Sequence, residues 1–275
     1  MRIEIPKFPG NKKHALTFSF DDGVVTDRRT IEKFNEWGLK ATWNLNSGLF
    51  GGHHGSGDCA HVKAGEVEEL YRGHEVAIHT VTHPFLTRLD RGQVAREVLD
   101  DRRALEDLVG YAVRGMAYPF GRYDDRIIEV LRGLGVVYAR TVEDRWECFP
   151  AAEPLAWGTT SYMYAPDLQK KWDERYNDPW KNNHIICIWG HTYEFKVNND
   201  WEALERVFKP MSGRPDVWYC TNIELFDYED ARRRMVIGAT GKFAFNPSGR
   251  PVTVLVGGDN GKVVDVPAGA TVRLA

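Results

Sequence analysis

Cysteine is scarce in this chain of 275 residues: Cys59, Cys148, Cys187 and Cys220 are the whole complement, and no CxxC pair occurs among them. That spacing excludes a dense disulfide scaffold and a thiolate zinc site. Cys187 and Cys220 lie in apolar, strand-like runs, where buried free thiols are the ordinary outcome. Long apolar runs are missing as well, and none reaches the length needed to span a bilayer. The opening stretch, MRIEIPKFPGNKKHALTF, holds no apolar segment of the secretory kind, so a soluble cytoplasmic protein is the expectation. Excess charge of one sign is also small. With 36 basic against 39 acidic residues the net charge is -3, and the broad field that draws proteins onto nucleic acids or membranes is lacking. Neither nucleic acid nor membrane is expected as a partner. Internal repeats and low-complexity tracts are absent too.

Aromatic residues, by contrast, are plentiful: nine Trp, eleven Tyr and thirteen Phe. Most belong in a core, but flat apolar faces also stack on sugar rings. The length suits one large α/β domain with at most a small addition. Strands and helices alternate, as in a mostly parallel sheet with outer helices. Strands are predicted at 14–20, 41–45, 75–79, 112–117, 136–141, 185–189 and 217–221. Helices are predicted at 27–37, 64–72, 91–109, 124–134, 201–208 and 222–235. Residues 47–61 read as a Gly- and His-rich loop, and 143–183 as irregular chain rich in Trp, Tyr and Pro. The texture changes after Val236, where KFAFN, VTVLV, KVVDV and TVRLA are short β-type runs between turns. The expected division is a catalytic domain over 1–235 and a small antiparallel β appendage over 236–275, too short to be stable alone.

Three segments carry chemistry, each just past a predicted strand. In FDDG, residues 20–23, adjacent carboxylates on a strand point to opposite sides, so Asp21 and Asp22 can serve different partners. On its own this is a common polar turn. In HTVTH, residues 79–83, His79 and His83 share one face if the chain turns helical there, and one divalent ion can take both. Two core histidines are the plain alternative. Together the segments offer a carboxylate and two imidazoles, a set suited to zinc and also to iron, cobalt, nickel or manganese. Three protein ligands leave a position open for water, whose pKa falls to roughly 7 on such an ion. The spare carboxylate, Asp21, is then placed to accept the proton. In WGHTYEF, residues 189–195, His191 ends an apolar strand and is suited to protonate a leaving group.

TFSFDDG, HTVTH, AYPFG and WGHTYEF, in this order, resemble the motifs of the NodB-type polysaccharide deacetylases, carbohydrate esterase family 4. The resemblance runs from about Leu16 to Met235. It implies a distorted (β/α) barrel and metal-assisted removal of N- or O-acetyl groups from a carbohydrate. Carried over, Asp21 matches the catalytic base, Asp22, His79 and His83 the metal ligands, and His191 the general acid. Phe120 matches the residue whose backbone N–H stabilises the oxyanion. Two departures stand out. The family's third motif carries an Arg where this chain has Ala117, with Arg114 and Arg122 as nearby substitutes. The motif that orients the acid histidine has no clear match, with Glu194 and Asp216 as candidates.

The loop histidines His53, His54 and His61 are expected on a solvated, flexible loop. The aromatics Trp146, Trp157, Tyr162, Tyr164, Trp172, Tyr176 and Trp180 are expected to divide between core and substrate groove. Three rivals share some of these features. A hydrolase of cyclic amides or ureides keeps the fold and metal. A decayed sugar-binding protein is suggested only by the missing Arg. A two-His-one-carboxylate iron oxygenase matches the ligand types, though not the βα alternation.

Overall fold

The computed structural model describes residues 2–56, 58–145, 149–178, 184–258 and 261–274. Its organising element is the strand His14–Asp21, whose 8 residues are all buried. Residues alternate across a strand, and here the two faces do different work. Phe18 and Phe20 point outward and pack against Phe34 of the helix Asp27–Trp37 and against Phe208. Thr17, Ser19 and Asp21 form the opposite row, inside the barrel.

Along one edge this strand pairs in parallel with His184–Gly190 over its full length, from His14 to Phe20. Along the other, its first half pairs with Val217–Tyr219 and its second half with Ala41–Leu45. The sheet continues through Glu75–Ile78, Gly115–Ala117 and Tyr138–Asp144, all parallel. Two short consecutive strands then close the ring. Trp157–Thr159 pairs with Tyr138–Asp144, and Ser161–Tyr162 pairs with His184–Gly190. The Thr160 N–H donates to the Cys187 carbonyl at 2.8 Å and joins the two. The result is the distorted (β/α) barrel expected from the motifs. It corrects the expectation for 143–183, which holds both closing strands and the helix Leu168–Tyr176. Strands of two and three residues have too little alternation to be read locally, and their neighbours' hydrogen bonds define them.

The helices follow their sequence cues. Asp27–Trp37 buries Ile31 and Phe34 and ends on Gly38 in the left-handed conformation. Arg91–Val109 starts with a capping box between Asp90 and Gln93 and buries Val94, Val98, Asp101 and Leu105. The helix expected over 64–72 is shorter, a 3-10 turn at Ala64–Glu66 followed by Val67–Leu70. The strand expected from Ala112 begins at Gly115, where a β-carbon would lie 2.3 Å from the Tyr138 ring.

The barrel interior has two levels. The lower is apolar, built on Ala15, Tyr138, Trp157, Ile185, Cys187 and Cys220. The upper is polar. Arg140, fully buried, donates to Ser19 Oγ at 3.1 Å and to the Thr141 carbonyl at 3.3 Å. Asn44 Nδ2 donates to Ser19 Oγ at 2.9 Å. This plug lies directly beneath the carboxyl ends of the strands.

After the helix Asn222–Arg233, strands Val236–Ile237, Phe243–Phe245 and Thr271–Arg273 form one small antiparallel sheet. Val252–Val256, Lys262–Val266 and the N-terminal Ile3–Glu4 form another. Ala244, Val254, Val266 and Leu274 fill the space between them, and Val252 packs on Tyr228 and Ala231 of the helix. The free cysteines Cys59, Cys187 and Cys220 are buried, while Cys148 lies outside the described residues. Among the described residues no helix is long and apolar enough to cross a membrane.

Candidate metal centre and hydrolytic site

Four non-glycine residues at the carboxyl ends of the strands have a positive φ: Asp22 at 79°, Thr80 at 72°, His83 at 54° and Phe120 at 58°. Such backbone is sparsely populated, above all for a β-branched threonine, and persists only where the surroundings hold it in place. Asp22 leaves the strand line in this conformation, followed by Gly23 at φ 64°. A β-carbon on Gly23 would come within 2.8 Å of Leu45 Cδ2. Asp21 and Asp22 therefore both face one cavity, rather than opposite sides as regular alternation predicts. His79 and His83 also meet by a route the spacing did not show. No helix forms there; a tight turn, held by a 3.1 Å bond from the His83 N–H to Thr80 Oγ1, folds the two rings together.

Asp22 Oδ1 lies 3.6 Å from His79 Nε2 and 3.5 Å from His83 Nε2. The three donor atoms fall within 4.8 Å of one another, the only such group among the described residues. His79 Nδ1 donates to the Ala117 carbonyl at 2.8 Å, which leaves the Nε2 lone pair facing Asp22. Burial, then the neighbouring His79, pushes the His83 imidazole down to about 4, despite the opposing pull of Asp22 and Asp21. A neutral ring with a free lone pair is the form that binds metal. Burial alone would raise the Asp22 carboxyl, but the His54 hydrogen bond and the neighbouring imidazoles of His79, His191 and His83 outweigh it and hold it well below the usual range. One carboxylate and two imidazoles, convergent and mostly buried, fit a divalent ion of the zinc type.

Asp21 is nearly buried, and its Oδ1 is ion-paired with Arg140 and accepts from Asn44 Nδ2 at 2.9 Å. Its Oδ2 faces His191 Nε2 at 3.9 Å. The guanidinium missing from Ala117 thus comes from the following barrel strand. Neither suggested substitute serves: Arg114 is engaged by Asp227 at 2.7 and 2.8 Å, and Arg122 is exposed. His191 Nδ1 lies 3.2 Å from Glu194 Oε1. Burial lowers the His191 imidazole, but the Glu194 bond and the charges of Asp21 and Asp22 more than reverse this, and its pKa is raised. Asp216 is elsewhere, accepting from the Tyr176 hydroxyl at 3.0 Å.

These groups share a cavity of about 510 Å³. Phe120, 48% exposed, stands at its rim and stacks on Phe85 with centroids 3.9 Å apart. Trp189 and Tyr193 also line it. None of the described aromatics from 143–178 does, and Trp157 and Trp172 are core. Trp146 and Trp180 lie outside the described residues. Of the loop histidines expected to be solvated, His53 is exposed and the other two are not. His61 is buried with Nδ1 2.8 Å from the Asp22 carbonyl, and His54 Nε2 lies 3.3 Å from Asp22 Oδ2.

Sequence reasoning missed two further residues. Asp101 is fully buried, and its carboxylate accepts from the Ser47 N–H at 2.8 Å and the His79 N–H at 3.0 Å. Arg140 is the other. Both left a trace: Asp101 interrupts the apolar stripe of its helix, and Arg140 interrupts an apolar strand. Charged groups in such positions need partners.

The polysaccharide deacetylase sequence profile matches residues 9–139. A peptidoglycan-N-acetylglucosamine deacetylase of Listeria monocytogenes is 26% identical over 145 residues, covering 52% of this chain and 29% of that protein. A chitooligosaccharide deacetylase of Sinorhizobium fredii is 38% identical over 66 residues, covering 24% of this chain and 31% of that protein. The matched region is thus under a third of either relative's length. Among solved structures, a candidate polysaccharide deacetylase from Mycobacterium smegmatis superposes with a TM-score of 0.61 at 17% identity, over 82% of this chain and 93% of that one. A family 4 acetyl xylan esterase from Clostridium thermocellum, solved with cobalt, gives 0.50 at 16% identity over 77% and 90%. At such identities the structural matches speak to fold alone.

Proposed function

We propose, on the match of residues 9–139 to the polysaccharide deacetylase family profile, that the chain is a metal-dependent hydrolase removing N- or O-acetyl groups from a carbohydrate. One observation carries the proposal. The Asp22–His79–His83 donor set, Asp21 with Arg140 behind it, and His191 with Glu194 behind it all meet at one cavity, which Asp21, Asp22, His79, His83 and His191 line. Asp22, His79 and His83 would hold the divalent ion, zinc foremost, which when bound polarises the acyl carbonyl and acidifies water.

The chain's own groups supply the remaining roles. Asp21 presents Oδ2 to the cavity while Arg140 and Asn44 hold Oδ1, so one oxygen is free to take a proton from the attacking water. Collapse of the tetrahedral centre needs a proton on the departing amine or alkoxide. His191 Nε2 supplies it, with Nδ1 fixed on Glu194 and the raised pKa favouring the protonated ring. The Phe120 N–H, in its strained turn, is the oxyanion donor, and the Phe120 face offers a sugar a stacking surface. Arg140 restores the guanidinium that the third motif lacks, which removes the sole argument for a decayed binding protein.

The test combines metal content with product release. Protein prepared without added metal is analysed for bound elements, then assayed for acetate from N-acetylchitooligosaccharides and acetylated xylan before and after chelation. Near one equivalent of a zinc-like ion, with acetate release lost on chelation and restored by metal, is expected. Failure to take up any offered ion would remove the metal centre and the proposal with it.

A further inference from the structure

The two carboxylate oxygens of Asp22 face different neighbours. Oδ1 is turned to His79 and His83 at 3.6 and 3.5 Å. Oδ2 is turned away from them, to His54 Nε2 at 3.3 Å, with His191 Nε2 farther off at 4.0 Å. His54 arrives on a small hairpin, His53–His54 against Cys59–Ala60, that is pinned to the barrel rim. The pins are the Val25 N–H to the Ala60 carbonyl at 2.9 Å, the Val62 N–H to the Gly23 carbonyl at 2.9 Å, and His61 Nδ1 on the Asp22 carbonyl at 2.8 Å. The His54 ring packs on Tyr193 and His61, with centroids 4.7 and 5.0 Å away.

Its nitrogens can be assigned from these contacts. Nδ1 lies 3.2 Å from the Ser56 N–H and 2.8 Å from the Ser56 carbonyl. Where Nδ1 accepts from that N–H, the proton of a neutral ring sits on Nε2. That ring turns its Nε2 N–H side to Asp22 Oδ2, 3.3 Å away. His54 is also not one of the convergent donors, since Asp22, His79 and His83 alone gather within 4.8 Å among the described residues.

We propose that His54 is a positioning residue of the metal centre, holding Asp22 Oδ2 so that Oδ1 alone faces the ion. Resting on the function proposed above, this assigns a role to a loop histidine outside the family motifs. A ligating carboxylate needs such a partner to fix its rotation. Without it Asp22 can turn both oxygens to the ion, filling a position that water or the acyl oxygen needs.

The test is zinc affinity, measured by competition with a chromophoric chelator, for wild type and three variants, with cobalt spectra alongside. His54→Ala is expected to weaken zinc binding about 10- to 100-fold. His54→Asn keeps an amide near Ser56 but stops short of Asp22, and should be equally weak. His54→Gln places an amide N–H where Nε2 sits, so it should recover to within about threefold of wild type with an unchanged cobalt spectrum. Thermal melts in chelator check that each variant is folded, and the Asn/Gln pair decides the matter if the alanine variant is not. Wild-type affinity in His54→Asn would overturn the proposal. So would a weak His54→Gln, and a changed cobalt spectrum would make His54 a ligand instead. Lack of zinc uptake by the wild type is a separate result and refutes the metal centre itself.

Discussion

Replacing Arg140 by Met removes a guanidinium that is 0% exposed and leaves the nearly buried Asp21 carboxylate with Asn44 as its remaining short donor. Breaking a buried ion pair from one side costs about 3–5 kcal/mol, because the surviving charge is desolvated without compensation. Ser19 Oγ and the Thr141 carbonyl also lose their bonds to the guanidinium. Asp21→Asn should be costly for the mirror-image reason, with Arg140 left uncompensated except for the Trp189 face, whose centroid is 5.3 Å away. The double variant Arg140→Met with Asp21→Asn buries no net charge. It should be more stable than the sum of the single effects implies, with a coupling of about 2–3 kcal/mol. Equilibrium denaturation in chelator gives the three values free of metal linkage, provided the m-value is constant across the set. Additivity within about 0.5 kcal/mol would refute the pairing as the source of the cost. Arg140→Lys keeps the charge but not the fork, and should fall between.

The other expectations concern chemistry and pH. Asp21→Asn should keep zinc binding while turnover falls about 10²- to 10⁴-fold, the usual size of a lost general base; His83→Ala should lose both, and near-normal turnover in the first under saturating metal would remove Asp21 from that role. Burial pushes the Glu75 carboxyl up to about 7, against hydrogen bonds from the Ile223 N–H and the Thr42 and Tyr138 hydroxyls. The folded state therefore holds this proton more tightly than the unfolded chain. Its contribution is complete below about pH 4.5 and is lost as pH rises through 7, roughly 3 kcal/mol in all. Glu75→Gln should thus gain stability relative to wild type between pH 4.5 and 8, read from denaturation at both ends, whereas parallel profiles would show that Glu75 is ionised throughout.

Much of this site is visible in the sequence because its parts are local. FDDG, HTVTH and WGH each follow an apolar run that ends where the barrel strand ends, and Asp27–Trp37 and Arg91–Val109 show helical period and caps. What stayed hidden depends on the chain meeting itself. Arg140 reaches Asp21 across 119 positions of sequence, and no spacing rule covers that distance. His79 and His83 come together through a strained turn rather than the helical face that their spacing suggests. His54 was discounted because glycine-rich sequence suggests solvent, yet the hairpin around it has its own anchors. Glu194 and Asp216 were equal candidates until the fold put the first beside His191 and the second with Tyr176.

The strand His14–Asp21 is made well before its neighbours along one edge and half of the other, His184–Gly190 and Val217–Tyr219, which follow it at large sequence separation. A nascent polypeptide emerging from the ribosome can pair this strand with Ala41–Leu45 long before its other edge is covered. Contacts of such high sequence separation form late and slowly. The centre of the barrel is therefore a late product of folding, and a chain stalled before His184 would hold every proposed metal ligand but not the enclosed strand from whose end Asp21 and Asp22 emerge.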